Sequence, residues 1–303
     1  MSGTETIDPR NAGLDMWPDE AILDALLDGQ RRAVTAVETA RDALASAAAS
    51  IAARLGGTGR IVYAGAGSSG IIAALDGIEL LGTYGWPEER VAFVLASGDR
   101  LAPLTGGEED DEAAARAAIG GLHLTPSDAV IAVAASGTTP YTVAAGTAAR
   151  AAGALTVGIA SNAATPLLNA ADIPVLLDSG PEVIVGSTRM GAGTAQKAAL
   201  NLISTLTMIR LGHVYDGLMV NLRADNRKLR ARAIRTLRHI TGCGEDEAAA
   251  ALAETGGALK QAALVLRGAT LAESAGLLEA AGDNLRTALG RVTGRQVGAH
   301  TEY

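Results

Sequence analysis

The chain is poor in cysteine, lysine and aromatic residues, and the first two shortages exclude whole classes of protein. A single cysteine, Cys243, among 303 residues excludes an internal disulfide and any cysteine-based metal cluster, and its expected role is that of a small apolar packing group. Lysine occurs only three times, and the formal net charge is −8 at pH 7. Because phosphate backbones are bound by clustered Lys and Arg, we expect no nucleic-acid partner.

Long hydrophobic runs are also missing. No apolar run is long and uninterrupted enough to span a bilayer, and residues 1–17 lack the basic and then apolar pattern of a secretion signal. We therefore expect no membrane partner and a cytoplasmic location. Apolar residues nevertheless make up 48% of the chain, which indicates a folded globular protein.

The apolar pattern predicts an α/β protein. Residues 1–18, interrupted by two prolines, are predicted to form an extended arm, and residues 19–54 carry apolar residues at the spacing of one long helix or a broken pair. From residue 60 onward five short apolar runs alternate with helical stretches, which is typical of a parallel sheet with crossover helices on both faces. The runs cover residues 60–65, 91–96, 128–135, 155–160 and 173–177.

The C-terminal third has a different composition. Residues 218–240 carry a cluster of arginines and are predicted to form a basic helix with a solvated or ion-paired face. Residues 241–297 are rich in Ala and Leu, which indicates a small helical bundle. These patterns predict an N-terminal arm and helix at residues 1–55, a sheet domain at 56–240 and a helical domain at 241–303.

The first strand runs directly into a glycine and serine turn, GAGSSG at residues 65–70. Gly67, Ser68 and Ser69 stand at a helix N-terminus, where free N–H groups and the helix dipole favour an anion such as phosphate. No lysine follows, which excludes the Walker loop. The dinucleotide pattern G-x-G-x-x-G does fit, but without an acidic residue ending a strand about 20 residues later. A turn with no ligand is the remaining alternative.

A second turn rich in hydroxyls follows the third strand. If the strand order is the flavodoxin-like 2-1-3-4-5, the first and third strands are neighbours and a ligand binds between their carboxyl ends. Ser136, Thr138 and Thr139 would then face Ser68 and Ser69 and complete a phosphate cradle. Ordinary helix caps explain either turn alone but explain the pair less well.

A polar loop after the fifth strand carries more polar groups than a plain connection needs. Ser187, Thr188, Arg189 and Lys197 lie in or just after it, together with Glu182 and Gln196. We expect some of these side chains to reach a ligand or a subunit interface.

In their order along the chain these motifs resemble the SIS (sugar isomerase) fold and, more closely, the N-acetylmuramic acid 6-phosphate etherases. The resemblance covers nearly the whole chain, and long motifs in a fixed order are more specific than a single glycine turn. The matching segments are DPRN at 8–11, GAGSSG at 65–70, LDGIELLGTYG at 75–85, GGEED at 106–110, AASGTTPY at 134–141, GTAQK at 193–197, HVYDGLMVNL at 213–222 and TGCGEDEAAAAL at 241–252.

The resemblance implies a homodimeric lyase that removes D-lactate from C3 of a 6-phosphosugar by elimination and hydration, in the recycling of cell-wall sugar. It implies no metal and no organic cofactor. It also implies two catalytic carboxyls: Glu79, the acid that protonates the departing lactate, and Glu108, the base at C2. The apolar residues Leu75, Ile78, Leu80 and Leu81 are expected to surround Glu79 and raise its pKa.

Four positions depart from the family pattern. Ile71 and Thr138 stand where the family commonly has arginine, Gly191 where it has lysine, and Thr105 where it has glutamate. Arginine is the usual fork for a carboxylate or a phosphate, so these replacements weaken recognition of the substrate unless Arg189 and Lys197 compensate. Two alternatives stay open: a SIS-fold phosphosugar isomerase, and a regulator that binds a phosphosugar without catalysis.

Overall fold

A computed structural model describes residues 3–98, 106–222 and 227–298, with side chains to residue 292; Thr105 lies outside the described residues. No helix within these ranges is both long and apolar enough to cross a membrane. The strands are β1 Ile61–Gly65, β2 Val91–Leu95, β3 Ala129–Val133, β4 Leu155–Ala160, β5 Ile173–Leu176, β6 Val214–Tyr215 and β7 Leu218–Met219. The helices are α1 Asp19–Thr39, α2 Arg41–Arg54, α3 Gly67–Tyr84, α4 Glu112–Gly121, α5 Pro140–Ala151, α6 Pro166–Ala170, α7 Gly191–Arg210, α8 Arg227–Thr241, α9 Glu245–Glu254, α10 Leu259–Leu266, α11 Leu271–Ala280 and α12 Leu285–Gly298.

The five predicted strands form one parallel sheet in the order β2-β1-β3-β4-β5, so the predicted flavodoxin-like order is confirmed. The chain steps from β1 outward to β2 and then returns to the other side of β1 to make β3. Gly65 at the end of β1 pairs with Val133 at the end of β3, which places the two carboxyl ends level. A crevice at such a reversal of strand order is where open α/β sheets bind ligands.

Helices cover both faces of the sheet, and the alternation of side chains along β1 shows which helices lie on which face. Val62 and Ala64 point to one face and pack with α4 and α5 through Ile119, Ala144 and other buried residues. Tyr63 points to the opposite face, where its ring lies against Gly77 of α3 so closely that a Cβ on Gly77 would be 2.8 Å from the ring. The buried strands are therefore apolar on both sides, as parallel sheets require.

A buried carboxylate joins β1, α3 and α7. Asp76 is 4% exposed and accepts hydrogen bonds from Tyr63 Oη at 2.7 Å, Asn201 Nδ2 at 2.6 Å and Ser204 Oγ at 3.0 Å. These donors are neutral, so hydrogen bonding alone offsets the desolvation of the charge. Burial and then the charge of Asp76 raise the pKa of Tyr63 well above its ordinary value, which keeps its hydroxyl a donor.

The N-terminal segment differs from the extended arm expected. It forms three short 3-10 turns at Gly3–Glu5, Pro9–Asn11 and Leu14–Met16, because Pro9 can start a helical turn and Asp8 caps it by accepting from Arg10 N at 3.0 Å. Residues 19–54 form the broken pair of helices, α1 and α2, which meet at Ala40.

The chain divides into two compact units, residues 1–78 with 88–206, and residues 79–87 with 207–303. In the second unit, α8 to α12 surround a core that includes Leu237, Leu259, Leu264 and Leu285, and Cys243 packs against that core. This confirms the predicted C-terminal helices. The predicted domain boundaries at residues 56 and 241 stay predictions.

The predicted basic helix is wrong at its start. Residues 214–219 form the hairpin β6–β7, and the described part of the predicted helix is α8, Arg227–Thr241. The turn of the hairpin is Asp216-Gly217, and both residues have positive φ, 52° and 76°. An Asp-Gly pair between two apolar pairs is the usual signal of a two-residue hairpin turn, and its preference for positive φ ends any helix there.

An ion pair holds the entry ends of the two central strands together. Asp128, 2% exposed, precedes β3 and accepts from the backbone N of Arg60, just before β1, at 2.8 Å and from the Arg60 guanidinium at 3.0 Å. Thr125 N donates to the same carboxylate at 2.8 Å. Burial opposes the charge, but the hydrogen bonds from Arg60 and Thr125 outweigh it, and the pKa of Asp128 lies below its ordinary value.

We expect Asp128→Asn to lower the free energy of unfolding at neutral pH by about 1–3 kcal/mol, because the amide loses the charge and one acceptor. The folded-state pKa is lowered, so this stabilisation is complete above the ordinary aspartate pKa of 3.8 and is lost as the pH falls below it. Urea unfolding between pH 7 and pH 3 measures the difference. Glu112→Gln, which breaks an exposed pair with Arg116, is the control, with an expected change below about 0.5 kcal/mol. A constant wild-type to Asp128→Asn difference down to pH 3 would contradict the assignment.

Candidate active site

The turn after β1 is built by the close approach of two glycines. A Cβ on Gly65 would lie 2.9 Å from the Cα of Gly70, and a Cβ on Gly70 would lie 2.9 Å from the carbonyl oxygen of Gly65. Neither position accepts a side chain, and α3 therefore starts directly at the strand end. Its first amides have no partner within the helix, and the half-buried Ser68 and buried Ser69 stand beside them. This arrangement suits an anion.

The acidic segment at residues 106–110 reaches this turn. Gly67 has a φ of 56°, and a Cβ built on it would be only 2.6 Å from Oε1 of Glu109. Burial, and after it the negative charge of Asp110, raises the pKa of Glu109. Glu108, the predicted base, is half-buried beside it. The sequence alone did not single out Glu109, because an acidic run is usually solvated.

The turn after β3 is organised by its own hydroxyls. Ser136 Oγ accepts from Thr138 N at 3.1 Å and lies 3.2 Å from Thr139 Oγ1. Thr139 precedes Pro140, the first residue of α5, while the side chain of Thr138 is exposed. Because β1 and β3 are neighbours with level ends, the two turns occupy adjacent strand ends at one edge of the sheet.

The polar loop between β5 and α7 separates into internal and exposed groups. Glu182, 3% exposed, accepts from Gly191 N at 2.9 Å and from Ala192 N at 2.8 Å, and so caps the N-terminus of α7. Gln196 is buried as well. Ser187 and Thr188 are half-buried, whereas Arg189 and Lys197 are exposed. The carboxylate of Glu182 is thus engaged by the first amides of α7, whereas Ser187, Thr188, Arg189 and Lys197 are at least partly accessible to a ligand.

The apolar surroundings expected for Glu79 are not formed within one chain. Glu79 is exposed, and Leu75, Ile78 and Leu81 around it are themselves 47%, 60% and 42% exposed. Helical spacing turns only Leu80 inward, at 2% exposure. The expectation of an apolar pocket around this carboxyl is therefore wrong for the single chain.

The described departures from the family pattern fall into two kinds. Ile71 is 37% exposed near the start of α3, and Thr138 is exposed in the turn after β3. Gly191 is buried, and a Cβ on it would lie 3.1 Å from Oε2 of Glu182. The two exposed replacements leave the edge of the sheet without a cation at those positions, whereas Gly191 fits the packing of the α7 cap.

A cavity of about 590 Å³ is lined wholly by residues of the second unit. Its wall includes Arg230, Gln261 and the buried Lys260, whose Nζ donates to the backbone oxygen of Asp283 at 2.8 Å and to its carboxylate at 2.6 Å. Burial lowers the pKa of Lys260 against the effect of Asp283. Lys260 thus ties α10 to the residues before α12.

The chain is similar to several known proteins. A family model described as SIS domain matches residues 27–161. An N-acetylmuramic acid 6-phosphate etherase of Deinococcus radiodurans is 48% identical over 289 residues, 95% of this chain and 95% of the relative. Relatives of the same name from Streptomyces avermitilis and Streptomyces coelicolor are 43% and 41% identical and cover 94% and 96% of this chain, and 93% and 94% of their own lengths.

Among solved structures, a putative phosphosugar isomerase involved in capsule formation from Bacteroides fragilis aligns with a TM-score of 0.48 at 19% identity, over 65% of this chain and 94% of that chain. Because that likeness is weak, the fold of this chain is assigned from its own strand order.

We expect Glu182→Ala to lower the free energy of unfolding by about 2–4 kcal/mol, because it leaves two buried amides at the start of α7 without an acceptor. Chemical unfolding at neutral pH measures the loss. Glu182→Gln is the matched variant and is expected to lose less, because its single side-chain oxygen still accepts from one amide. Equal stability of wild type and Glu182→Ala would show that the carboxylate does not cap the helix.

Proposed function

This chain belongs to the N-acetylmuramic acid 6-phosphate etherase family, and we propose that it cleaves the sugar–lactate ether at the carboxyl edge of β1 and β3. Its activity is that of a carbon–oxygen lyase acting on an amino sugar phosphate. The observation that carries the placement is the pair of hydroxyl turns, GAGSSG after β1 and SGTT after β3, at neighbouring and level strand ends. The single cysteine fits a reducing compartment, so we place the enzyme in the cytoplasm.

The 6-phosphate is bound by the two turns. The first amides of α3 and the hydroxyls of Ser68 and Ser69 supply donors from one side, and Ser136 and Thr139 supply hydroxyls from the other. With Ile71 and Thr138 in place of the family's arginines, the exposed cations Arg189 and Lys197 provide the positive charge.

The reaction is an elimination followed by hydration. Glu108 takes the proton at C2 of the open-chain aldehyde, and the C3–O bond breaks as its electron pair leaves with the lactate oxygen. Glu79 protonates that oxygen. Water then adds at C3 and a proton returns to C2, so the ether and one water give lactate and the sugar hydroxyl. Each proton transfer needs a carboxyl at hydrogen-bond distance from the reacting atom.

A second copy of the chain completes the site. Glu79 follows Ser69 by ten residues on α3, about 15 Å along a helix axis, which is longer than a single sugar phosphate. Ile71, Leu75 and Ile78 form an exposed apolar stripe at helical spacing on the same helix. A partner that covers this stripe supplies the apolar surroundings that Glu79 lacks in one chain, and its own Glu79 then serves the neighbouring phosphate turn.

Lactate release from N-acetylmuramic acid 6-phosphate tests the reaction. We expect Glu108→Gln and Glu79→Gln each to lower kcat by about 10²–10⁴-fold, because each removes one proton carrier. Glu109→Gln is the matched control for Glu108, since it lies in the same segment and nearer Gly67. We expect it to retain kcat within about tenfold.

Three results would contradict the assignment. A folded wild-type protein that releases no lactate excludes the etherase reaction, and solvent deuterium incorporated at C2 without lactate release indicates an isomerase instead. A larger loss in Glu109→Gln than in Glu108→Gln assigns the base to Glu109.

Mixing the two inactive variants tests the shared site. In a mixed dimer of Glu79→Gln and Glu108→Gln, one of the two sites has both native carboxyls if Glu79 comes from the partner. Random re-association should then restore about one quarter of the wild-type activity. No recovery in dimers shown to be mixed by mass spectrometry would place both carboxyls in one chain. The Ile78→Ser variant should dissociate in analytical ultracentrifugation at concentrations where wild type is dimeric.

A further inference from the structure

Thr4 is buried although it is only the fourth residue of the chain. It is 1% exposed, its backbone N donates to Oδ1 of Asn162 at 3.3 Å, and its Oγ1 accepts from Nδ2 of Asn162 at 3.3 Å. A Cβ on Gly3 would lie 3.3 Å from the same Asn162 oxygen. An N-terminal segment held only by its own turns would be solvated, so these contacts fix Gly3 and Thr4 onto Asn162, two residues after the end of β4.

Asn162 carries the connection on to the turn after β3. Its Nδ2 lies 3.2 Å from the carbonyl oxygen of Ala135 and 3.3 Å from that of Ser136, and Asn162 is 7% exposed. Ser161 N donates to the Ala135 oxygen at 2.9 Å and reinforces the same contact. The backbone that presents the hydroxyls of Ser136 and Thr139 is therefore held from behind by one amide side chain, which the N-terminal segment holds in turn.

The same segment also holds the polar loop. Gly186 N donates to the carbonyl oxygen of Thr4 at 3.4 Å, and a Cβ on Gly186 would lie 3.1 Å from Oε2 of Glu5. Seven residues after Thr4, the Nδ2 of Asn11 donates to the carbonyl oxygen of Val183 at 3.5 Å. Gly186 immediately precedes Ser187, Thr188 and Arg189.

We propose that residues 3–11 form a positioning strap that sets the Ser136–Thr139 turn and the Ser187–Arg189 loop at the spacing the phosphosugar requires. Thr4 is the common point, because it reaches the turn through Asn162 and the loop through Gly186. It is a positioning residue and contacts no substrate. The inference rests on the proposed function for the identity of the ligand, while the strap itself rests on the contacts of Thr4.

The strap acts on binding more than on chemistry. The groups it holds bind the phosphate, whereas the carboxyls proposed for proton transfer, Glu79 and Glu108, lie in segments with which the strap makes none of the contacts described above. A displaced binding group weakens ground-state and transition-state binding alike, and this raises KM with little change in kcat.

The experiment compares wild type with a variant that lacks residues 2–6, with Asn162→Ala, and with both changes together. Asn169→Ala, an exposed asparagine on α6, is the matched control. We expect the deletion and Asn162→Ala each to raise KM for N-acetylmuramic acid 6-phosphate by about tenfold or more while kcat falls less than about threefold. Both changes remove the same connection to the turn after β3, the one from Thr4 through Asn162. The KM of the double variant should therefore rise much less than the product of the two single increases.

Amide hydrogen exchange gives a readout that does not depend on activity. The deletion should speed exchange at Gly137, Thr138 and Gly186, while the amides of the central strands keep their wild-type protection. The Thr4→Ser variant, which retains the hydroxyl and the backbone, should behave as wild type in both measurements.

The outcomes distinguish a failure of the proposed function from a failure of the strap. Wild type without lactate release overturns the proposed function, whereas faster exchange at Thr138 and Gly186 in the deletion variant still supports the strap. Unchanged KM and unchanged exchange in a folded deletion variant overturn the strap, and so do fully multiplicative effects of the deletion and Asn162→Ala. A fall in kcat alone also overturns it, because that result assigns the segment to the chemistry.

Discussion

The contact between Gly65 and Gly70 is the constraint on which the candidate site depends. The backbone of the first turn of α3 lies directly against the end of β1. The first amides of α3, which have no acceptor within the helix, therefore lie at the carboxyl end of β1, next to the end of β3. Parallel pairing with level ends then brings the turn after β3 alongside. The two turns thus offer a phosphate donors that come from backbone geometry and from hydroxyls.

Buried carboxylates with neutral donors hold the helices around that edge. Asp76 joins α3 to β1 and α7, and Glu182 closes the N-terminus of α7 by binding two of its amides. Each carboxylate is satisfied by several hydrogen bonds from different parts of the fold, so removal of one donor leaves a buried group only partly satisfied. We infer that Asp76 and Glu182 fix the positions of the helices around the site as well as stabilising the fold.

Much of the fold was predictable because its signals are local. Apolar runs of five to eight residues, alternating with turns and helical stretches, predicted all five strands of the sheet, and the flavodoxin-like order followed from the resemblance to the SIS fold. The hairpin at residues 214–219 was missed, although its Asp216-Gly217 turn is itself a local signal, because the neighbouring arginines suggested a continuous helix. The candidate site was predictable where it follows strand ends. The approach of Glu109 to Gly67 and the burial of Thr4 were not, since each depends on residues distant in the chain.

The sequence by itself determined the family, the parallel sheet and the two hydroxyl turns, because the order of motifs, the apolar periodicity and the glycine positions are properties of contiguous residues. Only the tertiary structure decided which polar groups face inward. It turned Glu182 into the cap of α7 and left Glu79 exposed among apolar side chains. The physical reason is that burial is a property of the packed chain. A glutamate carboxyl beside the two first amides of α7 is a structural acceptor, as in Glu182, whereas a glutamate carboxyl on an exposed helix face is a candidate proton donor, as in Glu79.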